Sequence, residues 1–466
     1  MAYGQCAGNV STPQAAADCA SQSIPDRKIA TLQQGHPYTL AELIDIAEHN
    51  NPRTRIAWER AKQRADQLGI ARSTYFPVLA GAAVFADEHL INPFPKPLAP
   101  LGYTTVNIPV VEPELTLQYL IFDFGGRAAR VDRAAAEKIA AGANFIQTNQ
   151  DVAFRVSSAY YKLVTAQERL RATIETLKTA QTTQDAAEAR LSNGRATLPD
   201  VLNARAETAQ AIFDKESADG DDKVARVALT ETLGVEPSPD IEIEDQSKGD
   251  LPSALTLPIN ELIERAMAGR PDLQAQAAEI RAADREVAAA RAEFRPTIGF
   301  ASSAGYQSIW PTSSYGELGS ASKPVWSVGV SVDWRLFDGG ARRNQLAAAE
   351  SKQREARDEL TEKRDQTTRE VWTAYISFRT ALRKQDAAVA LLESATASYN
   401  ASLDAYNYGV KNLIDVVTAE KQLAQARLSS VAARSQLLLE AVDLEFVTGN
   451  LLRSLPPSTK SEVPKK

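Results

Sequence analysis

Two stretches of this chain carry the same punctuation 215 residues apart. Residues 190–202 read Arg-Leu-Ser-Asn-Gly-Arg-Ala-Thr-Leu-Pro-Asp-Val-Leu, and residues 406–417 read Tyr-Asn-Tyr-Gly-Val-Lys-Asn-Leu-Ile-Asp-Val-Val. In each, a long amphipathic run stops at a glycine, Gly194 or Gly409, the residue that takes positive φ at a helix end without steric penalty. Three residues later stands an N-cap, Thr197 or Asn412, followed at the third helical position by Asp200 or Asp415. This is a capping box with a shorter acid, so a second helix starts there. The chain is therefore a helical hairpin made twice.

The segments leading to each hairpin are duplicated too. A helix is expected over 40–72, with Leu43, Ile44, Ala47, Ile56, Leu68 and Ile70 on its apolar positions. Residues 259–293 repeat it: Glu42-Leu43-Ile44 matches Glu261-Leu262-Ile263, Pro52 matches Pro271, and Pro77 matches Pro296. After each of the later prolines the period changes to two. Phe76, Val78, Ala80, Ala82 and Val84 form one apolar row, and Leu115, Leu117, Tyr119 and Ile121 alternate with Glu114, Thr116 and Gln118. Ile298, Phe300, Ala304 and Tyr306 share a face that Ser302 interrupts. Trp326, Val328, Val330, Val332, Trp334 and Leu336 oppose Ser327, Gly329, Ser331, Asp333 and Arg335. Strands are expected over about 75–90, 112–123, 297–310 and 324–337, each near the length of a tilted transmembrane strand. Alternation alone equally describes a soluble sheet packed on a core. Two details favour lipid. Trp310, Trp326 and Trp334, three of the five tryptophans, fall in one hairpin, as interfacial aromatics do. The loops, about 91–112 and 307–324, are rich in Pro, Ser and Gly, as exposed outer loops are.

Each second strand meets a glycine pair, Gly125-Gly126 or Gly339-Gly340, that permits a sharp strand-to-helix turn; no phosphate-binding pattern surrounds them. The helices that follow, about 126–193 and 341–408, would each span roughly 100 Å. Val371, Tyr375, Phe378, Leu382, Val389, Leu392, Tyr399, Leu403 and Tyr406 mark a sustained seven-residue period, and Val156, Tyr160, Leu163, Leu170 and Leu177 keep the same register in the first copy. That period means coiled-coil packing. Return helices are expected over 198–233 and 413–449. The chain thus divides into a polar leader, 1–38, a first repeat, 39–235, an acidic, proline-rich linker, 236–258, a second repeat, 259–450, and a loose tail, 451–466.

Composition excludes some classes. The net charge of −7 argues against nucleic acid as a partner. No apolar run approaches a transmembrane helix, so membrane residence requires a β-barrel. The opening residues carry no basic or apolar signal region, so the chain is either cytosolic or has lost an export signal. Cys6 and Cys19 suit a local disulfide in an oxidising compartment. A lipid on Cys6 is the other reading, and zinc binding is the least favoured. His36, His49 and His89 are scattered, and no catalytic motif occurs. Neither an enzyme nor a cofactor is expected.

The order helix, strand pair, Gly-Gly, very long helix, glycine tip and return helix, twice over, resembles the TolC-like outer membrane factor family. Leu336-Phe337-Asp338-Gly339-Gly340 and Tyr408-Gly409, followed by Asp415-Val416-Val417 and Ala419-Glu420, carry the resemblance most specifically. It implies a mainly α protein with a membrane β-barrel. In this family a homotrimer forms one twelve-stranded barrel in Gram-negative outer membrane lipid, with a long α-helical barrel in the periplasm. Residues 24–38, 235–258 and the C-terminal region would form its equatorial belt. The implied function is a passive exit duct of a tripartite efflux pump or type I secretion system, opened by a periplasmic adaptor and an inner membrane transporter. By position from the tip glycine, Asp415 matches a pore-lining aspartate, and Thr418 stands where the family has a second one. Tyr406, Lys411 and Asp200 match gate-holding positions. Lys411 replaces an arginine of some members, which turns a two-pronged link into a single-point one. Arg190, Leu191, Ser192, Gly194, Tyr408 and Gly409 would meet the adaptor. The rival reading is a coiled-coil scaffold that tethers envelope partners without a pore. Cargo (drug, metal, dye or polypeptide) is not written in this chain.

Overall fold

The computed structural model describes residues 32, 35–96, 99–244, 251 and 257–451. Cys6 and Cys19, and the tail beyond Leu451, lie outside the described residues. In chain order the elements are β1 (Pro37–Tyr38), α1 (Leu40–Asn50), α2 (Pro52–Ser73), β2 (Val78–Pro93), β3 (Tyr103–Phe122), α3 (Gly126–Ser192) and α4 (Leu198–Leu233). Then follow β4 (Glu242–Ile243), α5 (Ile259–Gly269), α6 (Pro271–Ala292), β5 (Thr297–Ile309), β6 (Thr312–Ser313), β7 (Gly316–Glu317), β8 (Ala321–Asp333), α7 (Ala341–Asn407) and α8 (Leu413–Val447). The second repeat copies the first, with the small β6–β7 ribbon added. Among the described residues no helix is long and apolar enough to cross a membrane.

The leading helix expected over 40–72 is two helices, and so is the one over 259–293. Asn51 and Arg270 take extended backbone (φ −65°, ψ 127° and φ −70°, ψ 125°), because each precedes a proline that clashes with a helical neighbour. Pro52 and Pro271 then open the next helix, where a missing N–H does no harm. Thr39 and Glu42 form a full capping box at the start of α1.

Each break is a docking point for the end of a return helix. Gly234 closes α4 at φ +71°, and a Cβ there would lie 2.8 Å from Asn51 Cα and 2.9 Å from the Asn50 carbonyl oxygen. Gly449, also at φ +71°, sits the same way against Gly269 and Arg270. Around these joints two matching cores form. Leu43, Ile44 and Ala47 pack with Val156, Tyr160, Leu163, Leu229 and Leu233. Leu262 and Ala266 pack with Val371, Phe378, Leu437 and Leu444. The leader and linker meet in a parallel pair, Pro37 with Glu242 and Tyr38 with Ile243, which the sequence did not announce.

A second compact unit, residues 63–138 and 278–358, holds the sheet. Its main path is β2-β3-β5-β8, all antiparallel, with β6 continuing alongside β3 beyond the end of β5. The long loop expected over 91–112 shrinks to 94–102, because β3 runs on through Pro109 and Pro113. Proline removes a ladder donor. The ladder to β5 lapses opposite Glu112 and Pro113 and stops at Val110, so the loss is absorbed there.

Two outcomes follow. Gly234→Ala should lose about 2–4 kcal/mol through left-handed strain and backbone overlap. Gly69→Ala, in an exposed turn of α2 with open space around it, should gain about 0.5–1 kcal/mol. Thermal midpoints of the two variants check both. Glu48 lies on the buried face of α1, where burial and then neighbouring Asp45 raise its pKa from 4.5 to about 7. Its stabilising contribution is full below the unfolded value and is lost as pH climbs through the folded one. Glu48→Gln should therefore gain about 2–3 kcal/mol at about pH 8 and nothing near the unfolded pKa, by denaturant midpoint.

Candidate functional site

The sheet separates two chemistries. Register places Val78, Gln118, Ala301 and Gly329 side by side, then Ala80, Thr116, Ser303 and Ser327 on the same face. Glu112 and Glu114 of β3 join that face, and Gln307 Nε2 donates to Glu112 Oε2 at 2.9 Å. The opposite face sets Leu79, Leu117, Ser302 and Val328 in a row, with Tyr119, Phe300 and Val330 in the next. The row Val78, Ala80, Ala82 and Val84, expected to be apolar, thus lies on the polar face; Leu79 and Phe85 occupy the apolar one, 67% and 76% exposed. A shift of one residue reverses a strand's faces, and the pairing with β3 decides which face is which. Trp326 stands with Val328, Val330 and Val332 on the apolar side, and Trp334 follows just past the end of β8, its indole N–H on the Phe294 carbonyl at 3.2 Å. Eight residues of tilted strand carry the two tryptophans about 20 Å apart along a membrane normal, near the height of an outer membrane apolar band. Trp310 lies just past the end of β5, with its N–H on the Pro109 carbonyl.

The strand-to-helix turns use more than glycine. Phe124 and Gly125 take φ 53° and 90°, and Gly339 and Gly340 take 65° and 88°. Alignment on Asp123 and Asp338 puts Phe124 where the second copy has Gly339. The aspartates cap the long helices: Asp123 accepts the Arg127 N–H at 2.5 Å, and Asp338 accepts those of Gly340 and Arg342 at 3.1 and 3.3 Å. Arg127 donates to the Thr74 carbonyl at 3.1 Å, and Arg342 to that of Glu293 at 3.2 Å, so each ties the incoming helix to the outgoing one. The Asp-x3-Arg spacing, present in both copies 215 residues apart, was the available signal.

In the other unit the two hairpin tips share one apolar cluster. Ala187, Val201 and Ala204 of the first pack with Tyr399, Tyr406, Leu413, Val416 and Leu423 of the second. Both long helices end in Schellman turns: Arg195 N–H reaches the Arg190 carbonyl and Val410 N–H that of Ala405, each at 2.8 Å. Asp200 accepts the Thr197 N–H and hydroxyl at 2.9 and 2.7 Å, which hold its carboxyl below the usual range. Asn412 caps α8 by accepting the Asp415 N–H at 2.9 Å.

The expected gate residues divide. Asp415 and Thr418 are exposed and lie with Gln422 on one face of α8. Lys411 reaches Ser402 of its own hairpin at 3.3 Å, and Asp200 hydrogen-bonds to Thr197 at its own cap. Tyr406 is 4% exposed, and its hydroxyl has no hydrogen-bond partner among the described residues. Ser192, Gly194, Tyr408 and Gly409 are exposed, whereas Arg190 and Leu191 are half-buried; Leu191 packs on the shared cluster. Arg190, expected to face outward, lays its guanidinium 4.4 Å over the Tyr406 ring and donates to the Tyr406 carbonyl.

Farther from the tips lies a polar seam that sequence reasoning did not assign. Thr183 donates to buried Glu420 at 2.8 Å and stands 3.3 Å from the Tyr399 hydroxyl. Arg427, two turns on, donates to Thr179 at 3.1 Å. Burial raises the Glu420 pKa and lowers that of Arg427. Only the chain's folding brings these positions of α3, α7 and α8 together.

One chain that carries both a two-faced antiparallel sheet and two long helical hairpins defines a membrane channel protein with a β-sheet part and a helical part. The profile of outer membrane efflux proteins matches residues 43–235 and 262–450, one copy per repeat. Protein CyaE of Bordetella pertussis is 29% identical over 432 residues, 89% of this chain and 85% of that protein. The cobalt-zinc-cadmium resistance protein CzcC of Cupriavidus metallidurans is 25% identical over 328 residues, covering 70% and 74%. A crystal structure of a membrane protein from Pseudomonas aeruginosa superposes with a TM-score of 0.76 at 25% identity, covering 88% of this chain and 93% of that one. The chain belongs to the outer membrane efflux protein family, and it works as an outer membrane efflux channel.

The face assignment has a direct consequence. Val330→Arg places a charge midway along the apolar row and should disfavour insertion by roughly 2–4 kcal/mol. Ser327→Arg, on the polar face, should insert normally. Folding yield in outer membrane lipid vesicles compares them.

Proposed function

We propose that three copies of this chain close one twelve-stranded barrel and one helical tunnel, a passive duct gated at the hairpin tips. The observation that carries this reading is the pair of bare edges. Among the described residues, strand β2 pairs only with β3, and β8 only with β5. Unpaired backbone groups are not tolerated in hydrocarbon, and four strands are too few to close alone. The β8 edge of one copy is antiparallel to the β2 edge of the next, so head-to-tail rotation closes the ring. The number three comes from the family resemblance. A second apolar stripe on α4 supports assembly: Leu202, Phe213 and Val224, eleven residues apart, are 53%, 70% and 70% exposed on the side opposite the helix's buried positions. The tethering scaffold offers no reason for a sheet with one apolar and one polar face.

Within this duct the exposed row Asp415, Thr418 and Gln422 lines the pore at its narrow end. Symmetry brings the Asp415 carboxylates together, which favours cations. Tyr406, Lys411 and Asp200 hold neighbouring tips closed. The exposed tip residues Ser192, Gly194, Tyr408 and Gly409 receive a periplasmic adaptor, and an inner membrane transporter selects the cargo. Single-channel recording in a planar bilayer tests the gate. The wild type should show a small, cation-preferring conductance, and Asp415→Ala should lose that preference. Unchanged selectivity and conductance in the variant would remove Asp415 from the gate.

A further inference from the structure

We propose that Arg190 is a latch fastening the two hairpin tips of one subunit to each other, and that this latch limits the resting opening of the duct. The inference rests on the tip-gate reading above. Three features point to it. First, Arg190 sits in the last turn of α3, yet both groups it engages belong to the last turn of α7, the Tyr406 ring and the Tyr406 carbonyl. Second, that carbonyl lies at the negative end of a 67-residue helix, where a cation is favoured, and it also accepts the Gly409 N–H at 2.9 Å. A guanidinium can serve the carbonyl and stack on the ring at once, because it is planar with several donors. Third, the Tyr406 hydroxyl is buried and lacks a hydrogen-bond partner among the described residues. The tyrosine is therefore held through its ring face and main chain, and Arg190 engages both.

The other charged tip residues do not make this connection. Asp200 bonds to Thr197, and Lys411 bonds to Ser402, each within its own hairpin. Polar contacts that cross from the first hairpin to the second, among them Thr183 with Glu420, Arg427 with Thr179 and Lys421 with Glu207, lie two turns or more from the tips. Near the very end, the crossing is made by apolar packing and by Arg190. Removing its head group leaves the shared cluster of Ala187, Val201 and Val416 intact, so the hairpins stay folded while their last turns part more freely.

Four variants are compared in planar bilayers with Asp415→Ala alongside. Arg190→Ala should raise resting conductance several-fold while cation preference persists. Tyr406→Leu, which removes the ring and keeps the carbonyl, should raise it less. The double variant should add little to Arg190→Ala, since both act on one contact. Arg190→Lys, which keeps the charge and loses the fork, should fall between wild type and Arg190→Ala. Wild-type conductance in Arg190→Ala, with selectivity altered in Asp415→Ala, overturns the latch and leaves the gate reading standing. No change in either overturns the gate reading itself. Should Arg190→Ala fail to assemble, Arg190→Met keeps the aliphatic stem on the ring and replaces it in every comparison; wild-type conductance there overturns the latch equally.

Discussion

Backbone hydrogen bonding in lipid is the constraint on which the remaining structure depends. Hydrocarbon offers no partner to a bare N–H or carbonyl, so a spanning sheet must close on itself. One copy of this chain supplies β2, β3, β5 and β8, and among the described residues both outer edges are bare. In the proposed assembly further copies cover those edges, and a rotational ring of hairpins encloses an axis. There the conduit follows from backbone chemistry before any side chain is considered. Side chains then decide what each face meets. Leu79, Leu117, Val328 and Val330 suit acyl chains, while Glu112, Glu114, Thr116 and Ser327 suit water.

The duplication carries the same economy into the helices. Gly234 and Gly449 each end a return helix and lie directly on a proline-induced break in the leading helix of the same repeat. The Asp123–Arg127 and Asp338–Arg342 pairs make equivalent corners where strand becomes helix. Divergence between copies marks where function differs. Phe124 accepts a left-handed backbone that Gly339 takes freely. At the tips, Asp200 serves its own cap with its side chain, whereas Asp415 offers only its N–H to Asn412 and keeps an exposed carboxylate on α8. That exposed carboxylate is the group proposed above to line the pore.

Much of this was legible along the chain because it is local. Glycine at a helix end, Thr197 three residues on, and a seven-residue apolar period are short-range signals, and they located the hairpins. Strand faces were legible where polar and apolar residues alternate strongly, as in Trp326 to Val332, although the strand expected to run to 337 ends at Asp333. They were misread in β2, where Val78, Ala80, Ala82 and Val84 alternate with residues scarcely more polar, and pairing with β3 settled the matter. The breaks at Pro52 and Pro271 were visible as prolines but passed over, since the periodicity on either side continues. The inward turn of Arg190 was not legible for a different reason. Tyr406, the group it engages, is 216 residues away.

By itself, then, the sequence determined the duplicated order of elements, the two glycine-ended tips, and a strand pair in each repeat with faces suited to lipid and water. These follow from periodicity and from the backbone freedom of single residues, which need no knowledge of neighbours. Tertiary structure alone decided the sheet register, the seating of Gly234 and Gly449 on the helix breaks, the Thr183–Glu420 seam and the inward turn of Arg190. Each of these depends on which distant segment lies alongside, and a linear pattern of residues does not contain that distance.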